Sequence, residues 1–89
     1  MNHPFARLGQ FLKESRIEKG LSQTEVAKKF KYEQQFISNW ERGVSSPPLR
    51  TLKDLAKFYQ VPLEEVHHLL LEDSLDRVRN NLKKAFRRA

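Results

Sequence analysis

Residues 22–43, SQTEVAKKFKYEQQFISNWERG, decide the fold of this 89-residue chain. They open with Ser22 and Glu25 in a Ser-x-x-Glu capping box, in which each side chain bonds the backbone N–H of the other residue at a helix start. A second helical pattern runs over residues 33–42 and ends at Gly43. Only about three residues separate the two patterns, and so short a connection forces the helices to cross steeply. The stretch predicts a helix, a tight turn and a second helix whose outer face projects from the body.

Apolar residues along the rest of the chain recur at spacings of three and four, which is the period of an amphipathic helix. Pro47 and Pro48 predict a loop over residues 44–48, because proline lacks the backbone N–H that a helix interior needs. We therefore expect an all-α fold with a compact five-helix domain over residues 1–72. The predicted helices span residues 5–19, 22–29, 33–42, 49–59 and 62–71.

The composition changes after residue 72. Residues 74–89 carry six Lys or Arg and one Asp, so most of the chain's net charge of +6 lies at this end. We predict that residues 73–89 form a separate basic, amphipathic helix or tail, with Asp73 or Ser74 as its N-cap. An apolar stripe with heptad spacing runs along this end of the chain. It consists of Leu71, Leu75, Val78, Leu82 and Ala85.

The basic tail has three interpretations. Its heptad stripe favours a dimer element, and this is the interpretation we place first. A helix this short is marginal in isolation, so a solvated, frayed terminus comes second. Its Lys and Arg residues would also suit an additional arm that contacts DNA phosphates, which comes third.

Several classes of function are excluded by composition. The chain has no cysteine, so it has no disulfides, thiolate metal sites or cysteine nucleophiles. The adjacent His67 and His68 diverge on a helix, and we expect no metal and no cofactor. No nucleophile–base pair, paired carboxylates or glycine-rich phosphate loop is present, so we expect no enzymatic activity. No apolar run approaches the ~18 residues of a membrane span, and residues 1–10 lack the apolar stretch of a signal peptide. We expect a cytoplasmic protein with no membrane partner.

The predicted helix over residues 33–42 has two different faces. Ile37 and Trp40 lie on the inner face, while Gln34, Gln35 and Asn39 lie on the outer one. An amide side chain carries a donor and an acceptor, so it can bond bidentately to the N6/N7 edge of adenine. Because a B-DNA major groove accepts one α-helix, this outer face favours recognition of base pairs.

Residues 8–71 resemble the helix-turn-helix family of phage repressor and Cro proteins, also called the XRE family. The matching residues occur in unbroken order and with the family's spacing, which makes the set specific. They are Leu8, Leu12 and Arg16, then Gly20-Leu21-Ser22-Gln23-x-Glu25-Val26-Ala27, then Ile37-Ser38-x-Trp40-Glu41-x-Gly43, then Pro47, Leu52-x-x-Leu55-Ala56 and Val61-Pro62-Leu63.

The resemblance implies roles for residues in and around the helix-turn-helix. The residues expected to contact base edges are Gln34, Gln35, Ser38 and Asn39. The residues expected near phosphates are Ser22, Gln23, Lys31, Arg42 and Ser45. Arg16 and Glu41 are expected to form a structural ion pair between the first and third helices. The resemblance also implies double-stranded DNA with a two-fold operator as the partner, bound by a homodimer.

Three features depart from the family pattern. Lys31 stands where the family usually has a turn glycine, and a left-handed conformation there costs a non-glycine residue about 1–2 kcal/mol. Phe36 stands at a position that is usually small or polar, and we expect it to pack inward rather than meet a thymine methyl group. The loop over residues 44–48 lacks the Lys and Arg that the family often places against phosphate, so we expect modest DNA affinity for a single domain.

The sequence predicts a sequence-specific regulator of transcription that acts as a repressor and reads the major groove with residues 33–42. The alternative is a protein-interaction module similar to the coactivators and antitoxins of the family, and the distinct charge of residues 73–89 favours it. RNA binding through the tail alone comes third, because the tail lacks interleaved aromatic residues.

Overall fold

Residues 3–87 form five α-helices in the computed structural model, which describes this part of the chain. The helices are α1 (Ala6–Glu18), α2 (Gln23–Phe30), α3 (Gln34–Glu41), α4 (Leu49–Tyr59) and α5 (Leu63–Arg87). No strand occurs among the described residues, and the predicted all-α fold class is confirmed. The first four helices begin and end within one residue of their predicted bounds.

The hydrophobic core draws side chains from all five helices. Helix α1 packs against α3 and α5, α2 packs against α3, and α4 packs against α5. Each large apolar side chain buried in this way contributes about 1.5–3 kcal/mol. The buried apolar residues are Leu8, Leu12, Val26, Ala27, Ile37, Trp40, Leu52, Leu55, Ala56, Tyr59 and Val66.

Helix α5 is continuous from Leu63 to Arg87, so the prediction of a separate sixth helix beginning at Asp73 or Ser74 is wrong. No glycine or proline lies between residues 63 and 87 to end the helix, and the change in charge after residue 72 does not interrupt it. Asp73 caps no helix of its own; it is buried and turned towards the start of α1. Residues 88 and 89 of the predicted tail, Arg88 among them, lie outside the described residues.

Two glycines allow α1 to lie directly against the end of α3. A Cβ atom on Gly9 would come within 2.5 Å of the carbonyl oxygen of Trp40, so a larger residue would push the helices apart. Gly43 has a φ of +77°, and its carbonyl accepts the backbone N–H of Phe5 at 2.9 Å. Glycine is the residue that adopts this conformation without strain. These contacts set the position of α3 relative to α1.

Within residues 3–87, no helix combines the length and the apolar character needed to cross a bilayer.

Candidate nucleic-acid interface

The start of α2 follows from its local sequence. The Ser22 Oγ accepts the backbone N–H of Glu25 at 3.0 Å, and the Glu25 Oε1 accepts the backbone N–H of Ser22 at 3.0 Å. Both halves of the predicted capping box are therefore present. Ser22 stays exposed at the N-terminal end of α2, where free N–H groups and the helix dipole favour an anion.

The turn between α2 and α3 is built on Lys31. Its φ of 61° and ψ of 39° place it in the left-handed region, the conformation that the family glycine would adopt. The backbone N–H of Tyr32 bonds the carbonyl of Ala27 at 2.9 Å and closes the end of α2. The turn thus keeps its tight geometry, and Lys31 bears a local strain of about 1–2 kcal/mol.

Helix α3 directs one face inward and the other to solvent. Ile37 and Trp40 are buried, and the Trp40 ring meets the Tyr32 ring edge-on with centroids 4.9 Å apart. Gln34 and Gln35 are exposed on the opposite side. The amide groups of Gln34 and Gln35 are therefore accessible to a ligand.

Arg16 and Glu41 form a buried, bidentate ion pair between α1 and α3. The Arg16 Nε lies 2.6 Å from Glu41 Oε2, and Nη2 lies 3.0 Å from Oε1. A third guanidinium nitrogen, Nη1, donates to the carbonyl of Leu21 at 2.7 Å. The hydrogen bonds to Glu41 raise the pKa of Arg16 above its ordinary value, so the guanidinium stays charged. The ion pair holds α3 to α1 through Glu41, the last residue of α3.

A chain of amide contacts connects this ion pair to the exposed face. The Gln23 Nε2 donates to Glu41 Oε1 at 3.0 Å, and the Gln34 Nε2 donates to Gln23 Oε1 at 3.2 Å. Gln23 on α2 is thus held between a buried carboxylate and an exposed amide on α3. This arrangement orients the first turn of α3 relative to α2.

A second cluster on α3 centres on the Oδ1 atom of Asn39. This oxygen accepts from Gln35 Nε2 at 3.0 Å and from Arg42 Nη2 at 2.6 Å. Gln35, Asn39 and Arg42 therefore lie side by side along one face of α3. Ser38 lies half-buried beside them, between Gln34 and Arg42 in the helical order.

The remaining candidates lie around the edge of this surface. Lys31 and Ser22 stand at opposite ends of α2, separated by a helix of eight residues and about 12 Å. Ser45 lies half-buried in the loop that follows α3. Neither Lys31 nor Ser45 belongs to the two amide clusters.

The Phe36 side chain is less buried than the sequence predicted. Its exposed fraction is 49%, although its ring centroid lies 5.7 Å from that of Tyr32 and 6.3 Å from that of Trp40. The contacts with the two neighbouring rings therefore leave about half of the Phe36 side chain accessible to solvent. The inward packing expected for Phe36 is thus incomplete, and half of the ring remains on the outer surface.

The order of α2, the turn at Lys31 and α3 has counterparts among known proteins. A family model described as Helix-turn-helix matches residues 12–66, which is more than half of the chain. The chain belongs to the XRE-type helix-turn-helix family. The family membership expected from the sequence is thereby confirmed.

This helix-turn-helix chain is also similar to the cryptic phage CTXphi transcriptional repressor RstR of Vibrio cholerae. The two are 36% identical over 76 residues, a match that covers 85% of this chain. It covers 65% of the repressor, so the chain spans less than two thirds of that protein's length.

Sequence reasoning missed one cation beside the helix-turn-helix. Lys13 of α1 lies with Gln23 and Arg42 along a shallow groove of about 360 Å³. On the sequence, Lys13 is one of many charged residues on the outer face of an amphipathic helix, and no local signal separates it from the others. Only the packing of the helices brings it into the same groove as two of the expected phosphate contacts.

Proposed function

We propose that this chain is a DNA-binding regulator of transcription that recognises a specific duplex sequence with α3 and acts as a repressor. The observation that carries the proposal is the exposure of Gln34 and Gln35 at the start of a helix whose other face is anchored by buried Trp40. The chain's family and its similarity to a phage repressor support the same function.

The amide side chains of α3 are the proposed base-reading groups. Gln34, Gln35 and Asn39 each offer a donor and an acceptor, which suits the N6/N7 edge of adenine in the major groove. Ser38 is the fourth proposed base contact. On binding, the bond between Gln35 and Asn39 is exchanged for bonds to bases, and such an exchange changes the free energy by only about 0.5–1.5 kcal/mol per hydrogen bond.

The groups around α3 are the proposed phosphate contacts. Arg42 stands next to the base-reading amides, and its contact with Asn39 keeps the guanidinium at the edge of the surface. Phosphate contacts fix the position of a protein on the duplex without reading sequence. The proposed set is Ser22, Gln23, Lys31, Arg42 and Ser45, and we add Lys13 because it lines the same groove as Gln23 and Arg42.

Two copies bound to a two-fold operator complete the proposal. Each α3 then reads one half-site, with half-site centres about 34 Å or a multiple of that apart. In this arrangement, α5 serves assembly, while the groups on and around α3 contact DNA. The loop over residues 44–48 has no Lys or Arg, so we expect one copy to bind DNA with modest affinity. Two linked copies that bind both half-sites together raise the affinity for the operator.

Selection of random duplexes on the purified full chain tests the proposal. We expect an enriched motif that the doubly substituted Gln34→Ala/Gln35→Ala protein no longer selects. Asn80→Ala is the matched control, because it removes an exposed amide from α5 and leaves α3 intact. Placed across a promoter, the selected site should lower reporter expression when the protein is present.

Failure of the full chain to enrich any sequence would overturn sequence-specific recognition. If a stoichiometric protein partner were found at the same time, a protein-interaction module would be the better interpretation. Increased reporter expression from the selected site would overturn the repressor role alone.

A further inference from the structure

An apolar stripe runs along the solvent side of α5. Its five large residues are about half exposed or more, although the helix that carries them is continuous and fully formed. They recur every three or four residues over a length of about 24 Å, as in the seam of a two-helix coiled coil. The stripe, named α5 stripe below, consists of Leu71 (56% exposed), Leu75 (48%), Val78 (54%), Leu82 (51%) and Phe86 (74%).

The charges of α5 are separated along its length. Residues 63–76 carry five Asp or Glu and no Lys or Arg, whereas residues 77–87 carry five Lys or Arg and no Asp or Glu. Two such helices side by side in the same direction bring like charges together. In opposite directions, the basic half of each lies along the acidic half of the other. Charge complementarity therefore selects a second copy of this chain as the partner of the α5 stripe, with its helix reversed.

Glu72 and Arg79 make this complementarity specific. They lie seven residues apart on one flank of the α5 stripe, and their side chains are 44% and 64% exposed. A two-fold axis between Leu75 and Val78 places Leu71 of one copy opposite Leu82 of the other. The same axis places Glu72 of each copy beside Arg79 of the other, so the two pairs form reciprocally. Within one copy, Glu72 contacts His68 and Arg79 contacts Asp76, each at 3.3 Å. Both contacts are exposed, so they compete only weakly with the pairs between copies.

We infer that two copies of this chain associate through the α5 stripe with their α5 helices antiparallel. The inference rests on the proposed assembly of two copies and adds the surface and the orientation. The pairing leaves the candidate interface free, because α5 packs against α1 and α4 while α3 packs against α1 and α2. Arg7 fixes α5 to the body through Asp73 and Asp76, at 3.1 Å and 2.6 Å, so the two bodies are held at a defined separation.

Cysteine cross-linking tests the orientation directly, since the chain has no cysteine of its own. Leu71→Cys and Leu82→Cys proteins are oxidised separately and as a mixture. A disulfide needs Cα atoms within about 7 Å. In the antiparallel pair, two copies of residue 82 are about 16 Å apart along the helix axis, whereas residues 71 and 82 are opposite each other. We expect cross-linked dimer from the mixture only. Cross-linking of each variant alone would show parallel helices and overturn the inference.

Charge reversal is the second measurement and needs no cysteine. Glu72→Arg and Arg79→Glu, each alone, should raise the dimer dissociation constant measured by sedimentation by about tenfold, because both reciprocal pairs become repulsive. The combined Glu72→Arg/Arg79→Glu protein should return to within about twofold of the parent, since the pairs are restored in reverse. Additive weakening in the double variant would overturn the antiparallel orientation.

The outcomes separate this inference from the proposed function. A chain that remains monomeric at all concentrations but selects a duplex sequence through α3 overturns the dimer and leaves DNA recognition standing. Loss of DNA affinity in Lys83→Gln/Lys84→Gln, when parent and variant both sediment as monomers, would make the end of α5 a DNA arm and also overturn the dimer. An antiparallel dimer that selects no duplex supports the inference and overturns the proposed function.

Discussion

The carboxylate of Asp73 on α5 caps the first turn of α1 at Leu8. Its Oδ2 accepts the backbone N–H of Leu8 at 3.0 Å, and its Oδ1 accepts the backbone N–H of Arg7 at 3.4 Å. Helix α1 has no side-chain cap at Phe5 and no acidic residue in its first turn. Asp73 therefore supplies both the missing hydrogen-bond acceptor and the negative charge that favours a helix N-terminus.

Replacement of Asp73 by alanine should destabilise the fold. The buried N–H of Leu8 would lose its acceptor, and the free energy of unfolding should fall by about 1–3 kcal/mol. Urea denaturation followed by circular dichroism measures this. Asp76→Ala is the control, because Asp76 also contacts Arg7 but is 42% exposed and bonds no α1 backbone group. Equal losses for the two variants would contradict the capping role.

The Arg16–Glu41 pair should show strong coupling. Arg16→Met and Glu41→Leu, each alone, leave a buried charge without its partner, so we expect each to lower the free energy of unfolding by about 3–5 kcal/mol. The combined Arg16→Met/Glu41→Leu protein should lose much less, because no buried charge remains unpaired. A double-mutant cycle of unfolding free energies measures the coupling. Additive losses would mean that the two residues act independently.

Replacement of Gln35 by alanine should relax the DNA sequence preference at one position. Each lost base contact should cost about 1–3 kcal/mol of binding, while the thermal stability stays close to that of the parent because Gln35 is exposed. Titration of the selected duplex and of its single-base variants measures both effects. Unchanged affinity and selectivity would show that Gln35 does not read bases.

Replacement of Arg42 by glutamine should weaken binding evenly across duplex sequences. Loss of one phosphate contact should reduce the slope of log affinity against log salt by about one. Lys57→Gln is the matched control, since it removes an exposed cation from α4. A change confined to one duplex sequence would instead make Arg42 a base-reading residue.

The sequence alone determined the helix-turn-helix. The Ser22–Glu25 capping box is a local signal that acts through backbone groups three residues apart, and Gly43 ends α3 with its N–H bonded to the carbonyl of Trp40. The two faces of α3 follow equally from periodicity, because an inward Trp40 leaves Gln34 and Gln35 on the other side of the helix. Capping, turn formation and amphipathicity depend on neighbours along the chain. They can therefore be predicted from the sequence without knowledge of the tertiary structure.

Tertiary structure alone decided the rest. The composition change after residue 72 predicted a new helix with Asp73 or Ser74 as its cap, yet Asp73 bonds Leu8, 65 residues away in the chain. Packing likewise places Lys13 in one groove with Arg42, and it places Gln23 between Glu41 and Gln34. These contacts depend on how helices pack, and packing is set by the whole core at once. A local pattern therefore identifies an exposed acid or amide, but only the assembled core determines which group it bonds.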